Sequence, residues 1–118
     1  MDWMANRKPI SKYRNEPITI DGHKFPSRRE ANRYQELLLL QRAGAISALS
    51  LQVPFELQPA FRHPETKKTI RAIKYIADFT YFDYDGRFHI EDTKGFHTKE
   101  YELKKKMMLF KGYVIEEV

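Results

Sequence analysis

Asp78, Asp92 and Lys94 are the residues whose types and spacing could do chemistry. Asp78 lies inside the apolar run YIADFTYF, and aspartate is depleted in strands. In FHIEDTKGFH, Asp92 and Lys94 follow Phe88 and Ile90 at alternate positions, where a half-buried strand would continue its apolar face. Acids and an amine held at such positions suit work on an anion. The carboxylates would hold a divalent cation, Mg²⁺ or Mn²⁺, which prefers oxygen ligands and leaves room for water and phosphate oxygens. The amine would orient or help deprotonate a water, or stabilise charge developing on a phosphate.

That chemistry requires the two acids to meet, and the link between their strands decides it. The sequence is YFDYDGRF over residues 81–88. A loop of Tyr84, Asp85 and Gly86, with the glycine left-handed in a G1 bulge, sets Asp83 opposite Arg87, Phe82 opposite Phe88 and Thr80 opposite Ile90. Continued, the ladder puts Asp78 opposite Asp92 and Ile76 opposite Lys94, all on one face. Directly opposed carboxylates repel, more so near a core of low dielectric, and a divalent cation removes the conflict. A two-residue Asp85-Gly86 turn would shift the pairing by one and set Asp78 on the face of Glu91, which would then be the ligand. The first register is preferred because Phe88 and Ile90 share the Asp92 side, leaving Arg87, His89 and Glu91 as the wet side.

Around this hairpin the chain reads as one domain over residues 16–118, preceded by a flexible basic arm, 1–15, carrying Arg7, Lys8, Lys12 and Arg14. PITIDGHKFPS contains an Asp21-Gly22 turn between short extended pieces. Ser27 opens a helix through a Ser27–Glu30 capping-box pattern, and Gly44 closes it. Ala31, Tyr34, Leu38 and Gln41 recur at helical spacing, with Leu37 and Leu40 widening the apolar side. SLQVPFEL, 50–57, reads as a strand whose Pro54 suggests an edge. HPETKK is a turn. Strands follow over about 70–84 and 87–94. Thr98 caps a second helix with Tyr101, Met107, Met108 and Phe110 as core contacts, Gly112 stops it, and YVIEEV is a short last strand. The order is helix, three strands, helix, strand.

Composition bounds the partner. The 118 residues include 21 Lys plus Arg against 16 Asp plus Glu, a net charge of +5 that favours an anionic partner such as nucleic acid. The absence of cysteine excludes disulfides and thiolate metal sites and fits a reducing, cytoplasmic setting. No apolar run is long enough to span a membrane. The first helix presents Arg28, Arg29 and Arg33, and the second carries Lys99, Lys104 and Lys105. These read either as solvated faces or as a phosphate-contacting surface.

Asp78, a hairpin, then Asp92-Thr93-Lys94 resembles the PD-(D/E)xK nuclease signature. The element order is similar to the restriction-endonuclease-like core, an α/β fold with a mixed sheet flanked by helices. The blocks FPSRREANRY, LQVPFEL, YIADFTY and IEDTKGFHTKEYELKKK together resemble a phage-encoded family of small nucleases, grouped with Holliday-junction-resolving and replication-associated endonucleases. The resemblance covers about residues 18–118. It implies that Asp78 and Asp92 are the motif's acids, that Lys94 is its lysine, and that Glu30 matches the acid many members place on the first helix. Ala77 stands where the nominal proline would be.

The resemblance implies a Mg²⁺- or Mn²⁺-dependent endodeoxyribonuclease acting on branched or duplex DNA in the bacterial host's cytoplasm, with phage replication proteins as partners. Symmetric resolution of a junction would need two active sites, hence a homodimer. The alternatives are a non-catalytic nucleic-acid-binding module of a phage replication or packaging complex, and a structural protein with an incidental basic surface. Several residues have competing roles. Glu30 is a helix cap or a site acid. Gln52 lines the cleft or is an edge glutamine. Asp92 and Lys94 could be a plain ion pair. His97 follows the site closely or is an incidental loop histidine.

Overall fold

The computed structural model describes residues 17–118, so the basic arm expected over 1–15 lies outside the described residues. Asp21 and Gly22, both with positive φ, make a tight turn between β1 (Ile18–Ile20) and β2 (His23–Phe25). The α1 helix (Arg28–Arg42) starts on Ser27, whose hydroxyl accepts the Glu30 amide. Ala31, Tyr34 and Leu37 form its buried stripe, with Leu38 at the margin. Gln41 closes the helix onto the next strand by accepting from the Leu49 amide.

β3 (Ile46–Gln58) is longer than the stretch expected from sequence, because it begins at once after Gly44. It is the edge of a four-stranded sheet ordered β3, β6 (Ile73–Asp83), β7 (Phe88–Asp92), β8 (Ile115–Glu117), so Pro54 withholds its missing donor at an edge. β6 and β7 are the inner strands, antiparallel to each other. β8 lies parallel to β7, joined to it through α2 (Lys99–Phe110). The HPETKK turn carries a ribbon the sequence reading does not anticipate, β4 (Phe61–Arg62) against β5 (Thr69–Ile70). The result is a mixed α/β fold in which the expected helix, strand and helix order holds.

The two helices lie on opposite faces. Neighbours in β7 show this: Ile90 packs with Tyr101 and Met108 of α2, while Glu91 pairs with Arg33 of α1. The sheet does not keep one face throughout. On β3 and β6, Leu49, Leu51, Phe79 and Tyr81 join the α1 cluster, whereas Phe55, Leu57, Tyr75 and Ala77 join the α2 cluster. All eight are odd-numbered, and strict alternation would keep them on one side. Both strands therefore turn over between Leu51 and Phe55 and between Ala77 and Phe79. Gln52, with φ 52°, and its neighbour Asp78 occupy that seam.

Of the four expected core contacts on α2, three are met and one is not. Tyr101 and Met108 are buried and Met107 half-buried, but Phe110 is 92% exposed on the helix's last turn. Thr98 caps the helix by accepting from the Tyr101 amide. No helix among the described residues is long and apolar enough to cross a membrane.

Candidate functional site

The hairpin register is the one expected. Phe82 pairs with Phe88, Thr80 with Ile90 and Phe79 with Glu91. Gly86, at φ 83°, donates to the Asp83 carbonyl, and the Asp83 amide donates to Arg87. Asp78 and Asp92 lie one step beyond the last ladder pair. The pairing does not continue to Ile76 and Lys94, as extrapolation implied. Instead Asp78 Oδ2 accepts from the Thr93 amide and hydroxyl, each at 2.8 Å, so a carboxylate caps the point where the strands part.

Four of the expected residues converge there. Lys94 Nζ stands 3.7 Å from Asp92 Oδ1 and 4.4 Å from the centre of the Tyr101 ring, a cation–π contact that holds it beside the acids. Glu30 turns inward from α1 and is only 4% exposed. Its Oε2 accepts from Gln52 Nε2 at 3.2 Å. The capping box is thus half made: the Ser27 hydroxyl takes the Glu30 amide, but the Glu30 side chain faces the acids.

The electrostatics are those of crowded like charge. Burial, then the charges of Asp78 and Asp92, push the Glu30 carboxyl up to about 7, with Lys94 only partly offsetting them. Asp92 is likewise raised, chiefly by burial, with Asp78 adding to it and the Tyr75 hydroxyl opposing it. Among the described residues no buried side-chain nitrogen or oxygen lacks a hydrogen-bond partner. The conflict is therefore one of charge, not of unmet hydrogen bonds, and a divalent cation fits it. Asp78 is the acid that acts on Asp92 directly. Glu30, Asp78 and Asp92 do not together bring ligand atoms within 4.8 Å of one another, so a cation held by the two aspartates would leave Glu30 a supporting role through water.

Tyr75 is the residue sequence reasoning missed. Its hydroxyl donates to Asp92 Oδ2 at 2.6 Å, and burial together with that carboxylate keeps its own proton firmly on. Counted by alternation, Tyr75 belongs to the face away from Asp92. The turnover at Asp78 brings it round, and no local pattern in YIADFTYF signals that.

Other expectations need correction. Glu91 is not on a wet side: it is 1% exposed, held by Arg33 Nε at 2.7 Å and Arg33 Nη2 at 2.6 Å, with Tyr81 as a third donor. His89 is half-buried, stacked on Tyr81 and flanked by Asp83 and Glu116. Arg33, also paired with Glu36, is committed to that cluster and is not a free phosphate contact. Lys104 and Lys105 are paired with Glu100 and Glu117 on the surface. Arg28 and Lys99 are exposed, and Arg29 borders a cleft with Asn32, Arg33, Glu36, Val118 and Thr93, the residue that donates to Asp78. His97 does not reach the acid pair. It lies between Glu102 and Glu117 against the edge of Tyr101. Those three residues are the described trio whose ligand atoms come within 4.8 Å of one another, all on the exposed surface.

The described fold and site define an α/β protein with an acid–acid–lysine centre at the seam of a mixed sheet. A family model described as "Protein of unknown function (DUF1064)" matches residues 10–116, and the chain belongs to that family. No curated protein and no solved structure matches it.

Proposed function

We propose that the chain is a divalent-metal-dependent endodeoxyribonuclease with a restriction-endonuclease-like core, acting on branched or duplex DNA. The observation that carries this reading is the convergence of Glu30, Asp78, Asp92 and Lys94, with the Glu30 and Asp92 carboxyls raised first by burial and then by neighbouring acid charge. A fold does not keep such a cluster for stability, because desolvated like charges oppose folding.

Asp78 and Asp92 would hold Mg²⁺ or Mn²⁺. Bound there, the ion would supply Lewis acidity toward a phosphodiester and lower the pKa of a water. The chain's own residues do the rest. Thr93 and Tyr75 fix the two carboxylates by donating to one oxygen of each. Gln52 fixes Glu30 in the same way. Lys94, braced on Tyr101, places a positive charge where the phosphorus oxygens gain negative charge during in-line attack. Arg29, which lines a cleft with Thr93, would contact a flanking phosphate. None of these groups reads bases, which favours selection by DNA shape. Symmetric cutting of a four-way junction would use two copies of the chain.

The test is incubation of the purified protein with a four-way junction, a fork and a linear duplex, in Mg²⁺, Mn²⁺ or EDTA. Metal-dependent cleavage that disappears in Asp78→Ala is expected. Tight binding with no cleavage in either metal would instead identify a binding module, and neither binding nor cleavage would identify a structural protein.

A further inference from the structure

The β4–β5 ribbon is the largest feature that the acid cluster leaves unexplained. It extends the β3–β6 pair past Gln58 and Ile73, and its strands pair with each other rather than with the main sheet. Its turn is nonetheless well ordered. The His63 amide donates to Lys68, and the Lys67 amide returns to His63. The His63 Nδ1 accepts from the amides of Glu65 and Thr66, and the Thr66 hydroxyl accepts from Lys68. Lys67 itself takes a left-handed φ of 63°, uncommon for a side chain larger than glycine. Phe61 opposite Ile70 is the ribbon's one apolar pair. This much local order buries almost nothing, so core stability does not account for it.

Its charge is one-sided. Residues 58–74 hold Arg62, Lys67, Lys68, Arg71 and Lys74 against a single acid, Glu65, and so carry most of the chain's net +5. Lys67, Lys68 and Arg71 are exposed, and among the described residues none has an ion-pair partner. Arg62 is bent back on the Lys67 carbonyl, and Lys74 faces Glu56 across the main sheet. On α2, by contrast, two of the four lysines, Lys104 and Lys105, are paired with Glu100 and Glu117.

We propose that the β4–β5 ribbon grips the phosphate backbone of a duplex through Lys67, Lys68 and Arg71, at a distance from the acid pair. This rests on the nuclease reading and adds a second contact to it. Lys67 is eleven residues before Asp78. At roughly 3.3 Å per extended residue the ribbon tip reaches at most about 36 Å from the acids, close to one turn of B-form DNA. A two-stranded ribbon also has the width to follow a major groove. The duplex arm would thus be held at the cut site and again up to one turn away on the same side.

The experiment is fluorescence anisotropy on a labelled duplex of about 30 base pairs, roughly three turns, in EDTA across a KCl series. The variants are Lys67→Gln/Lys68→Gln/Arg71→Gln and Glu65→Lys. The triple variant is expected to bind at least about tenfold more weakly, with its salt slope shallower by about 2 to 3, near 0.9 per phosphate lost. Glu65→Lys should bind more tightly with a steeper slope. On arms shorter than about ten base pairs the triple variant and the native chain should converge. Cleavage of a junction by the native chain in Mg²⁺ is scored in parallel, so a failed nuclease reading would show as absent cleavage with this binding pattern intact. Unchanged affinity and slope in the triple variant, or no duplex binding by the native chain, would overturn the ribbon's role.

Discussion

Glu91 and Asp92 are neighbours in β7, both almost fully buried, yet they are solved in opposite ways. Glu91 points toward α1 and meets a matched cation: Arg33 grips both its oxygens, and Tyr81 donates as well. Asp92 points to the other side and meets Asp78, and its charge is felt by Glu30, with a lysine 3.7 Å away and one tyrosine hydroxyl as its nearest help. The first is a structural carboxylate whose charge the fold has balanced. The second is one whose charge the fold leaves in excess, and that excess is what a cation would neutralise. Burial alone does not separate a balanced acid from one left with excess charge; the sign of its neighbours does.

The largest effect expected from this contrast is on chemistry. Asp92→Asn keeps the shape and the Tyr75 hydrogen bond but removes a ligand charge, so metal-dependent cleavage should fall at least about a thousandfold, measured by initial rates on a junction substrate. Glu91→Gln should leave cleavage near the native rate at temperatures where the protein is folded. A loss of rate in the folded Glu91→Gln protein would erase the distinction.

Stability should run the other way. Glu91→Ala strands Arg33 half-buried without its partner and should cost about 3 kcal/mol in urea unfolding. Asp92→Asn, in EDTA, relieves like-charge crowding and should stabilise by about 1 kcal/mol, seen as a higher thermal midpoint. A destabilised Asp92→Asn would show that the native carboxylate is already compensated without an ion.

The smallest effect concerns His89 at the far end of the same strands. Hydrogen bonds that its ring donates to Asp83 and then Glu116 raise its pKa above the ordinary 6.5. A raised folded-state pKa contributes stability that is fully present below the unfolded value and is lost as pH rises through the folded one. Thermal midpoints should therefore decline from about pH 6.5 upward by more in the native chain than in His89→Asn. Equal slopes would place the imidazole charge outside the energetics of the hairpin.

The acid pair was legible because the governing interactions are local. Gly86 sets the loop, the loop sets the register, and alternation carries it from Phe82 to Asp92. What was not legible depends on distant partners or on broken alternation. Glu91 looks like a solvent residue until Arg33, 58 residues away, is brought to it by α1. Tyr75 looks as if it faces away from Asp92 until β3 and β6 turn over at Gln52 and Asp78. The same fold removed Arg33 from the candidate phosphate contacts and turned Glu30 away from its reciprocal cap. The charged ribbon was readable as composition, but HPETKK gave no hint that the residues flanking it pair as strands.

Crystals soaked in Mn²⁺ and measured for anomalous scattering test the central claim most directly. The account predicts a peak about 2.0–2.3 Å from a carboxylate oxygen of both Asp78 and Asp92, absent in Asp92→Asn crystals soaked alike. A well-occupied Mn²⁺ elsewhere, for example between His97, Glu102 and Glu117, with nothing between the two aspartates, would contradict it.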